Sequence, residues 1–286
     1  MKFMDWKKKY VKENKFMWFI MEFVHRYFKD NVGKSAAALA YYFVFSFFPF
    51  ILFISMVLGF LNIAPLSFTK EIQALIPEDI VEIVNLFLKH ATMERSPALL
   101  TFALVFSVWF PMRAVNSIMK FVSHAYRVEK KKHFIKHQIT VFLYTIFLMV
   151  SIFAALIILI VGENLLTFLS GILHISNSSI NLWGEIRFLL LAVMLFLVLS
   201  ILYYVAPAQR FSKRYVLPGA LAALVSWLVI SGGFAFYVEN MANYSVIYGS
   251  IGAIIVLLMW LYFSAVTILM GAEFNHVLMM VDEVTF

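Results

Sequence analysis

The chain has no cysteine, and only 14% of its 286 residues are charged. The first absence excludes disulfides, thiolate metal sites and cysteine nucleophiles. The second excludes a water-soluble enzyme, because soluble domains devote about a quarter of their residues to charge. Repeats of twenty to fifty residues are lacking, as are a phosphate-binding glycine loop, a nucleophile elbow and a metalloprotease motif. Nothing resembles a linker to a second domain. What is present is apolar: 63% of the chain is hydrophobic, with a mean hydropathy of +0.89. The 31 Phe, 13 Tyr and 6 Trp suit a lipid-facing surface with aromatic belts at its two edges.

Six apolar runs are each long enough to cross a bilayer: residues 36–61, 99–119, 139–161, 186–206, 216–238 and 247–271. In lipid the backbone must satisfy its own hydrogen bonds, so these runs are helices; the short alternating segments of a β-barrel are not found. The fold class is therefore all-α, a polytopic integral membrane protein of six transmembrane helices. Residues 1–34 form a leader and residues 35–286 the six-helix transmembrane domain. The leader is too long and too basic for a cleavable signal peptide. Within it Phe16, Phe19, Ile20, Phe23, Val24 and Tyr27 recur at helical spacing, which predicts an amphipathic helix in the membrane interface. The competing reading is a solvated helix packed on the bundle.

Charge sets the orientation. With six spans, the leader and the loops at residues 113–138 and 207–215 face one side and hold nineteen of the 23 Lys and Arg residues. The positive-inside rule puts that side, and both termini, in the cytoplasm. The outer loops differ in character. A stretch opened by Pro77 carries Ile80, Ile83, Val84, Phe87 and Leu88 on one face, and predicts an amphipathic helix at the outer surface.

Small residues mark where helices approach. Ala36, Ala37 and Ala40 share a face in the first span, as do Gly219, Ala222, Ala223 and Ser226 in the fifth and Ser245, Gly249 and Ala253 in the sixth. Internal bundle contacts and a dimer interface both fit these stripes. Pro49 in the first span frees a carbonyl about one turn earlier, which Ser46 is placed to satisfy, and Pro111 bends the second span two residues before its one charge, Arg113.

Charge inside a span is costly and points to function. Arg113 is the leading candidate for an anion or headgroup site, with Asn116 one turn on; snorkelling or a structural ion pair is the plainer reading. Glu273, at the end of the sixth span, is placed to pair with Arg113 if those helices adjoin, with structural pairing the plainer reading and proton coupling the functional one. Glu163, Asn164, Glu239, Asn240, Asn243 and Tyr244 collect at the outer end, as a vestibule or as solvated loop ends. His133 and His137 stand four apart but among lysines and with no third ligand, so no metal is expected there. The basic loop around them is expected to meet anionic lipid headgroups at the cytoplasmic face rather than nucleic acid. No cofactor, no metal and no catalytic residue is expected.

Four blocks of sequence resemble the YihY/BrkB family of bacterial inner-membrane proteins. They are Ala36, Ala37, Ala38, Leu39, Ala40, Tyr41 and Tyr42 with Ser46 and Pro49; Ala125, Tyr126, Arg127, Val128 and Glu129 with Phe134, Ile135 and Lys136; Tyr203 and Pro207 with Pro218, Gly219 and Ala220; and Tyr244, Ser245, Tyr248, Gly249 and Ser250 with Trp260, Gly271, Ala272 and Glu273. Two departures are Ser123, where the family often has Asn, and Lys132, where it often has Arg. The resemblance implies a six-helix inner-membrane protein. It also implies transporter activity with envelope lipids among the suggested cargo, and it brings Tyr41 and Tyr248 into the candidate substrate-binding set with Arg113, Asn116, Ser46, Pro49 and Glu273. Members have carried a ribonuclease BN label, for which this chain offers neither an aqueous catalytic domain nor a metal-ligand constellation. The functional reading is a permease for lipid or another envelope amphiphile; the alternative is a non-catalytic scaffold in envelope assembly or resistance, either of which is compatible with a homo-oligomer.

Overall fold

A computed structural model describes residues 15–60, 96–128, 133–173, 177–209, 211–241 and 250–285. These residues form seven helices: α1 (Lys15–Lys29), α2 (Val32–Phe60), α3 (Pro97–Ala125), α4 (Phe134–Leu173), α5 (Asn177–Val205), α6 (Lys213–Met241) and α7 (Ser250–Thr285). No strand occurs among them. Six, α2 to α7, are long and apolar enough to cross a membrane, as the sequence predicts. The spans are not uniform. At 1.5 Å per residue, the 36 residues of α7 reach about 54 Å, well beyond a hydrocarbon core of about 30 Å. The helix therefore continues past residue 271, where the apolar run ends, and carries Glu273 and Asn275 with it. The surface stretch opened by Pro77, Tyr248 and the Ser245 and Gly249 part of the small-residue stripe lie outside the described residues.

The chain forms two compact units. The first comprises Met1–Val32, Met119–Ser226 and Thr267–Phe286; the second comprises Gly33–Ile118 and Trp227–Val266. In the first, α4 packs along α5, and Val122, Val141, Tyr203, Val216, Leu269 and Val277 are buried. In the second, Trp227 donates its ring N–H to Ser264 Oγ (3.0 Å) and Trp260 to Ser231 Oγ (3.3 Å), so that both large indoles are satisfied between α6 and α7. The small-residue stripes are narrower than the sequence predicts. Ala36, Ala40, Gly219 and Ala223 are buried, whereas Ala37 and Ser226 are exposed.

The leader helix α1 is inverted relative to a soluble helix. Trp18, Glu22 and Arg26, followed by Asp30, recur every fourth residue and are buried. The opposite stripe of Phe16, Met17, Ile20, Met21, Val24 and Phe28 is exposed, Phe16 to 74% and Phe28 to 71%. Charge faces the protein and hydrocarbon faces outward. In water that arrangement would waste about 1.5–3 kcal/mol per large side chain; in a membrane interface it is the favourable one. Residues 15–29 are thus amphipathic with an exposed apolar stripe, and they pack on the protein through the polar one.

Candidate functional site

The buried stripe of α1 lies against the end of α7. Trp18 packs on Val277, and the Phe19 and Phe23 rings meet Phe274 edge-on at 5.0 and 6.0 Å. This apolar collar surrounds Arg26, which is only 4% exposed. Its Nη1 donates to Glu273 Oε2 at 2.8 Å, its Nη2 reaches Met280 Sδ at 3.2 Å, and its Nε stands 3.3 Å from Glu22 Oε1. Asp30 Oδ2 is 3.9 Å from the same Nη1. Removing any single member would strand a buried charge, which is why such clusters are held or lost as units.

Asp30 connects this cluster to the end of α3. Arg127 Nη2 donates to both of its carboxylate oxygens, at 2.9 and 2.7 Å. His124 Nε2 sits 3.4 Å from Asp30 Oδ1 and 3.2 Å from Arg127 Nη1. Burial alone would raise the Asp30 pKa, but the hydrogen bonds and charge of Arg127 outweigh it and hold the carboxyl below its ordinary 3.8. The local backbone explains how Arg127 reaches Asp30. Arg127 and Asn31 both adopt left-handed conformations, with φ of 54° and 52°. At the end of α3 the Arg127 N–H donates to His124 O and the Val128 N–H to Ser123 O, a Schellman closure whose left-handed position is ordinarily glycine's. An arginine there carries the steric cost that glycine avoids.

A second polar node lies on α7 two residues beyond Glu273. Asn275 is fully buried and makes three hydrogen bonds: Oδ1 accepts from the Gly219 N–H (2.6 Å), and Nδ2 donates to Tyr126 Oη (2.7 Å) and Val216 O (3.0 Å). Pro218 stands beside Gly219 in the first turns of α6, and the Asn275 amide reaches the backbone there at Gly219 and Val216. Gly219 and Gly271 permit the close approach: a Cβ on Gly219 would collide with Gly271 O and the Asn275 side chain, and one on Gly271 would collide with Tyr203 Oη and lie 2.8 Å from Ala223 Cβ. Tyr203 donates to Ile268 O at 2.6 Å, and Ser123 donates to Met119 O and Ala206 O, at 2.8 and 3.1 Å. Ser123, a departure from the family pattern, is therefore still a polar contact. Burial raises the Tyr126 phenol pKa, opposed by its bond from Asn275.

Of the predicted site residues, Glu273 is here and fully buried, but its partner is Arg26 of α1, not Arg113. Arg113 lies exposed on α3, its guanidinium 5.0 Å over the Trp109 ring and in none of the ion pairs among the described residues. Asn116 is half-buried on the same helix. Tyr41 is exposed on α2, 4.4 Å from the Phe45 ring. Ser46 donates to Phe43 O at 2.7 Å, so it does not satisfy the Phe45 carbonyl that Pro49 frees. Pro49 itself is half-buried inside α2. No group of three metal-ligating side chains occurs among the described residues. Sequence reasoning missed Arg26, Asp30, Arg127 and Asn275. The signal for the first two was the Glu22, Arg26, Asp30 series at four-residue spacing inside an apolar leader.

The family model described as Virulence factor BrkB matches residues 23–284, a stretch that contains Arg26, Asp30, Arg127, Asn275 and Glu273. The chain belongs to the BrkB family. The resemblance read from the four sequence blocks is thereby borne out. The chain is 33% identical over 262 residues to the ribonuclease-like protein YfkH of Bacillus subtilis, covering 92% of this chain and 95% of that one. A UPF0761 membrane protein of Pseudoalteromonas atlantica is 25% identical over 274 residues, 91% of this chain and 85% of its own. A UPF0761 membrane protein of Alteromonas mediterranea is 38% identical, but over 79 residues, 28% of this chain and 27% of its own. No solved structure matches.

Proposed function

We propose that this BrkB-family membrane protein is a non-enzymatic permease of the bacterial cytoplasmic membrane that handles an anionic lipid or another envelope amphiphile. Both termini and the α1 seam face the cytoplasm, on the side that carries nineteen of the 23 basic residues. The observation that carries the cargo class is an exposed aromatic ladder ending in a cation. On α3, exposed Phe102 meets half-buried Phe106 (4.4 Å) and Phe106 meets half-buried Phe110 (5.8 Å) with tilted rings, and exposed Trp109 lies under Arg113. Phe110 meets Phe45 of α2 at 5.7 Å, and Phe45 meets Tyr41. Acyl chains suit the rings, and a phosphate or carboxylate headgroup suits Arg113. Asn116 on α3, and Ser46 and Pro49 on α2, remain candidates on the two helices of this face; Glu273 and Tyr248 are candidates apart from it.

The test is translocation of a fluorescent anionic lipid in liposomes carrying the purified protein. Arg113→Ala should slow it about tenfold, the loss of one charge-assisted contact of about 1.5 kcal/mol, and Arg113→Lys should retain most of the rate. A measurable rate untouched by Arg113→Ala removes this site. The second reading, a non-catalytic scaffold, is favoured by the interlocked Gly219–Gly271 crossing, which suits a rigid support. Co-purifying envelope proteins with no lipid movement would select it.

A further inference from the structure

The stripe of α3 that carries Arg113 changes chemistry at the middle of the span. Phe102, Phe106, Trp109 and Arg113, then Asn116 and Ser117, recur every three or four residues, so they share one side of the helix, and each is exposed or half-buried. Trp109 is the central residue of the apolar run 99–119, ten residues or about 15 Å from either end. On one side of Arg113 the stripe is aromatic. On the other, toward the basic loop, it is polar.

Arg113 does not reach for the nearer water. It stands six residues, about 9 Å, inside the Met119 end of the run, and a snorkelling side chain would stretch that way. Its guanidinium instead lies 5.0 Å over the Trp109 ring, one turn back toward the middle of the span. Helical side chains lean in that direction, toward the helix N-terminus. The ring meets the charge but offers no lone pair to the five N–H donors of a guanidinium, and Arg113 makes no hydrogen bond or ion pair with any described residue. A cation so deep in hydrocarbon, with its donors open, is costly unless an anion and water are drawn down to it. On α2, Phe45 meets Phe110 at 5.7 Å, and exposed Tyr41 stands one turn from Phe45 toward the basic side, so its phenol is a second donor near the level of Arg113.

We propose that Arg113 holds the phosphate of an anionic phospholipid drawn from the leaflet on the side of the basic loops to the middle of the bilayer, with its acyl chains laid along Phe110, Phe106 and Phe102. This rests on the lipid reading of the same face, and adds the leaflet that supplies the lipid and the depth at which its headgroup is held. The polarity of the stripe sets the direction. Arg113 to Phe102 is eleven residues, about 16 Å, close to the hydrocarbon depth of one leaflet, half of about 30 Å. Asn116 and Ser117 give the headgroup a polar path from the basic side, whereas a lipid from the opposite leaflet would have to lay its chains over them.

The chain has no cysteine, so single nitroxides can be attached to the full-length protein. One is placed on Val108→Cys, beside the centre of the α3 span, and another, in a separate protein, on Val229→Cys, near the centre of the α6 span and 68% exposed. A nitroxide broadens the phosphorus NMR signal of phosphates near it, and in phosphatidylglycerol nanodiscs in phosphate-free buffer every phosphate belongs to a lipid. The Val108 label should broaden part of that signal several-fold more than the Val229 label, and Arg113→Leu should bring the two to one level. Equal broadening in the proteins that keep Arg113 overturns the proposal without recourse to any further variant, as does an excess that persists in Arg113→Leu. An excess that survives the double change Asn116→Leu and Ser117→Leu overturns the direction of supply. Translocation in liposomes is scored separately: an excess without lipid movement keeps the held headgroup and removes the permease, whereas movement with equal broadening removes the held headgroup alone.

Discussion

Arg127 shows most clearly which of two effects dominates at a single position. Its left-handed backbone would be relaxed by glycine, a gain of about 1 kcal/mol. Its side chain makes two charge-assisted bonds to Asp30, each of a kind that contributes about 1.5–3 kcal/mol. Solvent screening at the 34% exposed guanidinium reduces those bonds, so Arg127→Gly should destabilise the protein by about 1–3 kcal/mol in a chemical unfolding titration of the detergent-solubilised chain; a variant more stable than the wild type would show that strain governs the position. Asp30 makes a matching prediction in pH. Its pKa in the folded protein lies below the ordinary 3.8. The stability it contributes is thus fully present above 3.8 and is lost as the pH falls through the lower, folded value. The unfolding midpoint of the wild type should drop in that acid limb, and Asp30→Asn should abolish the drop at the cost of a lower midpoint at neutral pH.

Among the elements, α7 is the most constrained. Gly271 faces Tyr203, Ala223 and Gly219 with no room for a methyl group, so Gly271→Ala should cost about 1–3 kcal/mol. Ala223→Gly should return part of that loss in a double mutant, because Ala223 is only one of the three obstacles. The leader α1 predicts the opposite kind of exposure. A nitroxide placed at Phe16 or Phe28 should collide freely with oxygen dissolved in lipid, whereas one at Val277, beneath Trp18, should not. Equal accessibility at all three positions would mean that α1 does not lie with its apolar stripe in the bilayer.

The same elements show how far a sequence can be read. The six spans were legible because each needs about twenty apolar residues and nothing else in a chain imitates that. The existence of α1 was legible from the spacing of Phe16, Ile20 and Val24. Its orientation was not. A polar stripe normally marks the wet side of a helix, and only lipid on the other side reverses that meaning. Glu22, Arg26 and Asp30 therefore did not enter the candidate set, and Glu273 was left with Arg113 as its proposed partner. Asn275 was illegible for a different reason: a single amide acquires its role from Gly219, Val216 and Tyr126, 56 residues away at the nearest contact.

For the whole molecule, the distribution of Lys and Arg predicts one topology. Because the protein has no cysteine, single-cysteine reporters can be placed on a silent background. Lys34→Cys and Lys136→Cys should both react with an impermeant maleimide only after the cytoplasmic side is opened. Labelling of the two from opposite sides would undo the orientation and, with it, the assignment of the α1 seam to the cytoplasm.

The contact between Arg26 and Glu273 spans 247 residues of chain. On the ribosome, at roughly 5–20 residues per second, α1 emerges on the order of ten to fifty seconds before its partner helix exists. During that interval Glu22, Arg26 and Asp30 have one another and, once α3 is complete, Arg127, but Arg26 has no Glu273. A nascent polypeptide that stalls before α7 leaves this first segment unmated, with Arg26 lacking the carboxylate that seals the finished seam.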